Sequence, residues 1–275
     1  DTTAHKIGTS IALFFREKNP DVKNIVVGRD MRLSSKSLAN ALIEGLCTAG
    51  LNVINVGVVS SEMTYFAVGH YKYDGGVMVT ASHNPAEYNG FKLCREQAIP
   101  VSFETGIDRI SKLTKQYHPL RGEHLGKVIV SDIFVDYKKH VLKFASNLRH
   151  LRVVIDAGNG MAGKTIPLVC EGLPIEIIPL YFELDGSFPN HEANPLKPEN
   201  MVDLQKKVRE TRAHLGVAFD GDADRCVFVD EMGRIIGCDI ITALIAKQIL
   251  EREKGATILY DLRSSWIVPE EIKAA

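Results

Sequence analysis

The chain has 275 residues, of which 33 are basic and 34 acidic, with 45% apolar and 24% charged residues. At about 100–200 residues per domain, this length predicts two or three domains, and the composition excludes a disordered or low-complexity chain. The net charge of −1 leaves no basic excess, so we expect neither nucleic acid nor a membrane surface as a partner.

The predicted elements begin with short β-branched strands that alternate with amphipathic helices. The strands are predicted at residues 24–28, 52–57, 76–80 and 90–94, and the helices at 37–50, 62–71 and 103–115. Residues 118–126, rich in His, Gly and Pro, are predicted to form a linker. We therefore predict a first unit over residues 1–126.

The alternation then starts again and predicts a second unit over residues 127–236. Its helices are predicted at 133–146, 164–171 and 199–212, and its strands at 151–156, 175–179, 216–219, 227–230 and 234–236. A third start over 237–275 contains a predicted helix at 239–251, a strand at 257–260 and a helical turn after Pro269. The fold class is α/β, with repeated mixed α/β units, two complete and a third begun.

Apolar residues at helical spacing are predicted to form the core. They are Phe14, Phe15, Leu42, Leu46, Tyr65, Phe66, Val135, Leu142, Ile241, Leu244 and Ile245. The chain starts at Asp1 and stops at Ala275 inside a predicted helix, so we expect segments to be missing at both ends.

Five cysteines lie far apart in the sequence, and none forms a C-x-x-C pair. This spacing argues against a disulfide framework or a structural zinc site and favours a reducing compartment. Because the sequence also shows no signal peptide and no 18-residue apolar run, we expect a cytoplasmic protein. Its oligomeric state is not specified by the sequence.

Three carboxylates alternate in the segment D-G-D-A-D-R at 220–225, directly after a predicted buried strand. Asp220, Asp222 and Asp224 would repel one another strongly in such an apolar setting. A divalent cation removes this repulsion, and a set of oxygen ligands suits Mg²⁺ or Ca²⁺ rather than zinc. The spacing therefore predicts a metal site.

A second polar loop, T-A-S-H-N-P at 80–85, follows the predicted strand 76–80 at the sheet edge where α/β proteins bind ligands. Ser82 is a candidate phosphoryl carrier there, with His83 and Lys92 close in sequence to manage charge and protons. An ordinary strand-ending turn at Asn84-Pro85 is the alternative. Arg29 and Arg32, after strand 24–28, would add positive potential near the same edge unless they only form a salt-bridged cap.

The glycine loop Gly158–Thr165 is ambiguous. It matches both G-x-G-x-x-G and the phosphate-cradling pattern G-x-x-x-x-G-K-[ST], and it follows a predicted strand and precedes a predicted helix. A tight turn in which the glycines allow close backbone packing is the favoured interpretation, because short motifs of this kind often match by chance. At this level a nucleotide site and a plain turn both stay open.

Taken together, these segments resemble the α-D-phosphohexomutase family. The resemblance rests on T-A-S-H-N-P with N-G-F-K at 89–92, on D-A-G-N-G at 156–160 and on D-G-D-A-D-R, in the family's order and spacing. Residues 60–63 (S-S-E-M) and 261–266 (D-L-R-S-S-W) are similar to the bacterial phosphomannomutase branch. The family's sugar-reading loop and its final phosphate clamp have no counterpart in these 275 residues.

The resemblance implies a phosphohexomutase that interconverts hexose 1-phosphate and 6-phosphate, of mannose first and also of glucose. Ser82 would carry the phosphoryl group, and Ser82, Asp220, Asp222 and Asp224 would hold Mg²⁺. The catalytic set would be Ser82, His83, Lys92 and Arg225.

Arg29 and Asn84, which lie in the loops at the same sheet edge, are predicted to bind the hexose phosphate. A hexose 1,6-bisphosphate would be activator and intermediate. The alternatives are a P-loop NTPase that uses Gly158–Thr165, a phosphatase with Asp220 as nucleophile, and a non-catalytic sugar-phosphate-binding fragment.

Overall fold

The computed structural model describes residues 2–119 and 125–275. Its helices are α1 (Thr2–Lys18), α2 (Ser35–Thr48), α3 (Ser61–His70), α4 (Asp108–Lys115), α5 (Phe134–Val141), α6 (Ala162–Cys170), α7 (Val202–Thr211), α8 (Cys238–Arg252) and α9 (Ile267–Ala274). Its strands are β1 (Asn24–Arg29), β2 (Asn52–Val58), β3 (Gly75–Val79), β4 (Phe91–Arg95), β5 (Val128–Val130), β6 (Leu151–Asp156), β7 (Ile175–Leu180), β8 (Leu215–Phe219), β9 (Cys226–Asp230) and β10 (Ile235–Ile236).

The first sheet has the strand order β4-β3-β1-β2-β5, in which only the β3–β4 pair is antiparallel. Alternate residues of β1 face opposite sides: Ile25 and Val27 pack with α1 and α2, whereas Val26 packs with α3. Because both faces are covered, the central strands are almost continuously apolar. The first unit is therefore a three-layer α/β/α sandwich.

The second sheet has the order β10-β9-β8-β6-β7, with β6, β7 and β8 parallel and β9 and β10 antiparallel to their neighbours. Val154 of β6 packs with Leu204 and Val208 of α7. Its neighbours Val153 and Ile155 face the other side, where Ile166 of α6 lies. Two α/β/α units are thus present, which confirms the predicted fold class.

Most predicted elements agree with the structure to within a few residues, but the strand predicted at 257–260 was wrong. Residues 256–261 form no strand within the part of the chain described, and Leu259 is almost fully exposed. A β-strand forms only where a neighbouring strand pairs with its backbone N–H and C=O groups. The apolar side chains of residues 257–260 do not ensure that such a neighbour is present. Two elements, α1 and β5, were not predicted.

The core prediction was correct for Phe14, Phe15, Leu42 and Leu46, which are buried. Tyr65, Phe66, Leu142 and Ile241 are partly buried. Three of the predicted core residues are exposed instead: Val135, Leu244 and Ile245.

The reason for these three errors lies in which helical face is packed. Helix α5 packs through its 137 and 141 positions, so that Val135 points away. Helix α8 buries Ala243, Ala246 and Leu250 and lies against α9, which leaves Leu244 and Ile245 on the other side.

The predicted linker 118–126 lies partly outside the described residues. Strand β5, just after it, pairs with β2 and completes the first sheet. The predicted division at residues 126 and 236 stays a prediction. Among the helices that the structure describes, none has the length and apolarity that a membrane crossing requires.

Candidate active site

Ser82 lies in the loop that follows β3, at the carboxyl edge of the first sheet. Its backbone has the left-handed φ of 56°, and its amide donates a 2.9 Å hydrogen bond to Thr80 Oγ1. The residue is only 7% exposed. A hydroxyl held in this way has a fixed direction, which a phosphoryl carrier requires.

The aspartate loop follows β8 at the corresponding edge of the second sheet. Asp220 and Asp222 are fully buried, whereas the side chain of Asp224 is 25% exposed. One carboxylate oxygen from each of the three lies within 4.8 Å of the others. The alternating spacing therefore does bring the three carboxylates together, as the sequence predicted.

The two loops meet across the boundary between the sheets. Ser82 Oγ donates a 2.8 Å hydrogen bond to Asp220 Oδ2, and Arg225 donates both to Ser82 Oγ and, at 2.7–3.0 Å, to Asp220 Oδ2. A third acceptor of the Arg225 guanidinium is His83 Nδ1. The serine hydroxyl is thus held between a carboxylate and a guanidinium.

Lys92 closes the other side of the site. It projects from β4, and its Nζ lies 2.6 Å from Asp222 Oδ2 and 2.5 Å from Asp224 Oδ2. Burial opposes the charge of the ammonium, but the two carboxylates outweigh burial and raise the pKa of Lys92. The lysine therefore stays positively charged.

Burial and charge divide the carboxylates into two kinds. Burial and the neighbouring Asp222 raise the pKa of Asp220 to about 6. Burial also opposes ionisation of Asp222, but Lys92 and the hydrogen bonds that Asp222 accepts outweigh it, so the pKa of Asp222 is lowered. Burial and Arg225 lower the pKa of His83, which keeps its ring neutral at pH 7.

These residues fit a divalent cation. Asp222 Oδ1 is buried and has no hydrogen-bond partner, although its sister oxygen accepts two. Such an orphaned carboxylate oxygen costs free energy unless a cation or donor reaches it. With the three carboxylates so close, an oxygen-only ligand set of this kind suits Mg²⁺.

Comparison with known proteins identifies the family. The family patterns described as phosphoglucomutase/phosphomannomutase, alpha/beta/alpha domain I and domain II match residues 1–120 and 132–233. The chain belongs to the phosphoglucomutase/phosphomannomutase family. The residues 120 and 132 that bound the two matches lie on either side of β5.

Named relatives agree with this assignment. A phosphomannomutase from Vibrio cholerae is 40% identical over 270 residues, which are 96% of this chain and 58% of that protein. A Xanthomonas campestris protein named phosphohexose mutases is 39% identical over 99% of this chain and 60% of its own length. The chain thus spans about 60% of the length of these relatives.

A solved structure extends the agreement to three dimensions. The phosphoglucomutase/phosphomannomutase family protein from Burkholderia thailandensis superposes with a TM-score of 0.91 at 33% identity. The match covers all of this chain and 60% of that one. The two α/β/α units described above are therefore the arrangement found in this family.

The glycine loop of this family member is not a nucleotide cradle. Four consecutive amides, from Gly158 to Met161, already donate to protein oxygens, the last of them at 2.9 Å to Gly221 O in the aspartate loop. Lys164 Nζ donates to Val58 O at 2.7 Å in the first unit. No free row of amides faces a phosphate, so the P-loop alternative is wrong and the loop supports the metal-site loop instead.

One contact of the site was not predicted from the sequence. Ser61, at the start of α3, donates from its hydroxyl at 2.5 Å to Asp222 Oδ2 and from its amide at 3.0 Å to Asp222 O. A helix N-terminus with a serine is a natural partner for a carboxylate. Nothing in the sequence indicated which of the chain's carboxylates it would hold.

The two predicted substrate-binding residues lie outside this hydrogen-bonded cluster. Arg29 is partly buried and donates to the carbonyl of Asp30 at 3.2 Å. Asn84 is exposed, and its backbone rather than its side chain makes the recorded hydrogen bonds. Their role toward substrate stays a prediction.

Proposed function

We propose that the protein is a phosphohexomutase that interconverts hexose 1-phosphate and 6-phosphate, with mannose phosphates as first substrate and glucose phosphates as second. The observation that carries this proposal is the buried Ser82 hydroxyl, bonded to Asp220 at 2.8 Å and to Arg225. The names of the relatives, phosphomannomutase and phosphohexose mutases, support it.

The proposed reaction uses Ser82 as a reversible phosphoryl carrier. The P–Oγ bond of phosphorylated Ser82 breaks, and a P–O bond to a free hydroxyl of the sugar monophosphate forms. That hydroxyl loses a proton while Oγ regains one. The resulting hexose 1,6-bisphosphate returns its other phosphoryl group to Ser82, so no cofactor is consumed.

Asp220, Asp222, Asp224 and the phosphoryl group on Ser82 are the proposed holders of Mg²⁺. When bound, the ion supplies positive charge to the phosphoryl oxygens. Asp222 Oδ1 accepts no hydrogen bond from the protein, so it is free to bind the ion. The remaining chemistry falls to the charged side chains around Ser82.

Arg225 and Lys92 supply the fixed positive charge of the site. The Arg225 guanidinium already touches Ser82 Oγ, where phosphoryl charge would spread during transfer. Lys92 is held protonated by Asp222 and Asp224, so it can stabilise the negative charge of the phosphoryl group. His83 has a neutral ring whose Nδ1 faces Arg225, which places it beside the proton that Oγ must regain.

We also propose that the protein is cytoplasmic and that its partners are hexose phosphates. All five cysteines are free thiols in the structure, which supports a reducing compartment such as the cytoplasm. Hexose phosphates are the expected partners, and the balanced charge supports the absence of nucleic acid and membrane binding.

The test is covalent labelling of the protein by glucose 1,6-bisphosphate and Mg²⁺, followed by peptide mass mapping. We expect phosphate on Ser82, none in Ser82→Ala, and less in Asp222→Asn. Ser37→Ala, which removes an exposed serine of α2, is the matched control and should label like the wild type.

Two results would redirect the proposal. Phosphate on Asp220 would indicate an aspartate-nucleophile phosphatase. Binding of a sugar phosphate with no transfer, also in a chain of the relatives' full length, would favour a non-catalytic binding protein.

A further inference from the structure

Arg32 is a fully buried arginine in the loop between β1 and α2. Its Nη1 donates to Pro85 O at 2.7 Å and to Tyr88 O at 3.1 Å. Its Nη2 donates to Ser82 O at 2.8 Å and to Asn84 O at 2.6 Å. Four of its five N–H groups therefore bind main-chain carbonyls of a single loop, the one that carries Ser82.

The positive charge is balanced by Asp30, although the fifth N–H group makes no hydrogen bond. Nε lies 3.3 Å from Asp30 Oδ2, and both side chains are inaccessible to solvent. Asp30 is itself fixed, because its Oδ1 accepts from the Arg32 amide at 3.0 Å and from Ser35 Oγ. The Nε hydrogen has no partner but is inaccessible to solvent, so no donor of Arg32 can reach a substrate phosphate. The positive potential first expected of Arg32 is balanced by Asp30 and used to bind the loop.

The second unit covers this arginine. The ring of Phe188 lies over the guanidinium with its centroid 4.9 Å from Arg32 Cζ. The backbone at Gly186 comes so close that a Cβ there would lie 2.6 Å from Arg32 Cα. Arg32 thus binds the serine loop on one side and contacts the unit that carries the aspartate loop on the other.

We propose that Arg32 is a positioning residue for Ser82. By binding the carbonyls of residues 82, 84, 85 and 88, the planar guanidinium fixes the loop in the conformation that aims Oγ at Asp220. A lysine cannot replace it, because one nitrogen cannot reach carbonyls spread over seven residues. The effect on reaction rate rests on the proposed function, whereas the effect on the loop does not.

The experiment measures amide hydrogen exchange and Ser82 phosphorylation in wild type and Arg32→Lys. In the wild type we expect the amides of residues 82–88 to be protected, although they belong to a loop. In Arg32→Lys we expect loss of that protection, with unchanged exchange in β6, and phosphorylation by glucose 1,6-bisphosphate about 100-fold slower. Arg109→Lys, which alters an exposed arginine bound to Glu17, is the matched control and should change neither.

Each outcome decides between the alternatives. Unchanged exchange in the loop would overturn the proposal, as would loss of protection spread evenly over the whole protein. If the wild type takes up no phosphate while Arg32→Lys still loosens the loop, the proposed function fails and the positioning role stands. Should Arg32→Lys not fold, Asp30→Asn takes its place: selective loosening of residues 82–88 supports the role, and an unaltered loop refutes it.

Discussion

Ser82 has a left-handed backbone, with φ at 56°, although it is not a glycine. Such a conformation costs a residue with a Cβ about 1–2 kcal/mol. The surrounding contacts maintain it, since the Ser82 carbonyl is held by Arg32 and its amide by Thr80. The left-handed backbone at Ser82 thus lowers the stability of the folded protein, and in return it directs the Ser82 hydroxyl at Asp220.

This strain predicts that, at position 82, a glycine variant is more stable than an alanine variant, which is the reverse of the order in a helix. Ser82→Gly and Ser82→Ala both lose the hydroxyl, but only alanine keeps the Cβ that the left-handed backbone disfavours. We expect Ser82→Gly to have the larger free energy of unfolding, by about 1 kcal/mol. Urea denaturation of the two variants measures this difference.

The control pair is Ser37→Gly and Ser37→Ala, at an exposed position inside α2. In a right-handed helix the glycine variant should be the less stable by about 1 kcal/mol. The same sign at both positions would show that Ser82 carries no strain.

At the scale of elements, Glu62 links the start of α3 to α5. Its Oε1 accepts from Ser60 Oγ and, at 3.2 Å, from Tyr137 Oη of α5, while Oε2 is buried without a partner. A helix N-terminus favours a carboxylate, but burial dominates here and raises the pKa of Glu62 to about 7.

The raised pKa predicts a pH dependence of stability. Between pH 4.5, the ordinary pKa, and about 7, the folded protein keeps a proton that the unfolded chain has released. The free energy of unfolding therefore falls as the pH rises through this window, by up to about 3 kcal/mol in total, and the fall ends above pH 7.

Glu62→Gln removes this titration while keeping a polar group at the same place. The difference in unfolding free energy between wild type and Glu62→Gln, measured in urea at pH 5, 6, 7 and 8, should change steadily in favour of the variant up to about pH 7. A difference that is constant over this range would mean that Glu62 ionises normally in the folded protein.

The two elements that were not predicted, α1 and β5, were missed for different reasons. Helix α1 packs against α2 where Gly8 and Gly45 face the partner backbone, so closely that a Cβ on Gly8 would lie 2.3 Å from Leu42 O. Helix α1 nevertheless carries apolar residues at helical spacing, among them the buried Ile11, Phe14 and Phe15, so its signal was present in the sequence and was overlooked. Strand β5 is a three-residue, exposed edge strand that exists through its pairing with β2.

The candidate active site also contains features that the sequence predicted and features that it did not. The spacing of Asp220, Asp222 and Asp224 was visible in the sequence because the three belong to one loop. The contact of Ser61 with Asp222 joins positions 161 residues apart, and no local pattern encodes such a distance. The P-loop alternative failed for a related reason: the amides of Asn159 and Met161 bond to distant segments, at Tyr181 O and Gly221 O, which the local pattern does not show.

At the scale of the whole molecule, the candidate active site exists only where the two units touch. Gly221 of the aspartate loop lies so near the serine loop that a Cβ would be 2.5 Å from Ser82 O. Gly160 of the glycine loop lies on its other side, where a Cβ would be 2.7 Å from Gly221 O. Residue 221 is therefore packed between two backbone segments, which cannot move aside as a flexible side chain could.

Gly221→Ala should consequently push the two loops apart. We expect Ser82 phosphorylation by glucose 1,6-bisphosphate to fall about 100-fold or more, because an ångström of misplacement is enough for such a loss. Gly69→Ala is the matched control: it lies in α3, a Cβ there meets nothing within 4 Å, and it should label normally. Equal labelling of the two variants would mean that Ser82 is phosphorylated without the close approach of the two units. The hydrogen bond between Ser82 and Asp220 would then have no role in the reaction.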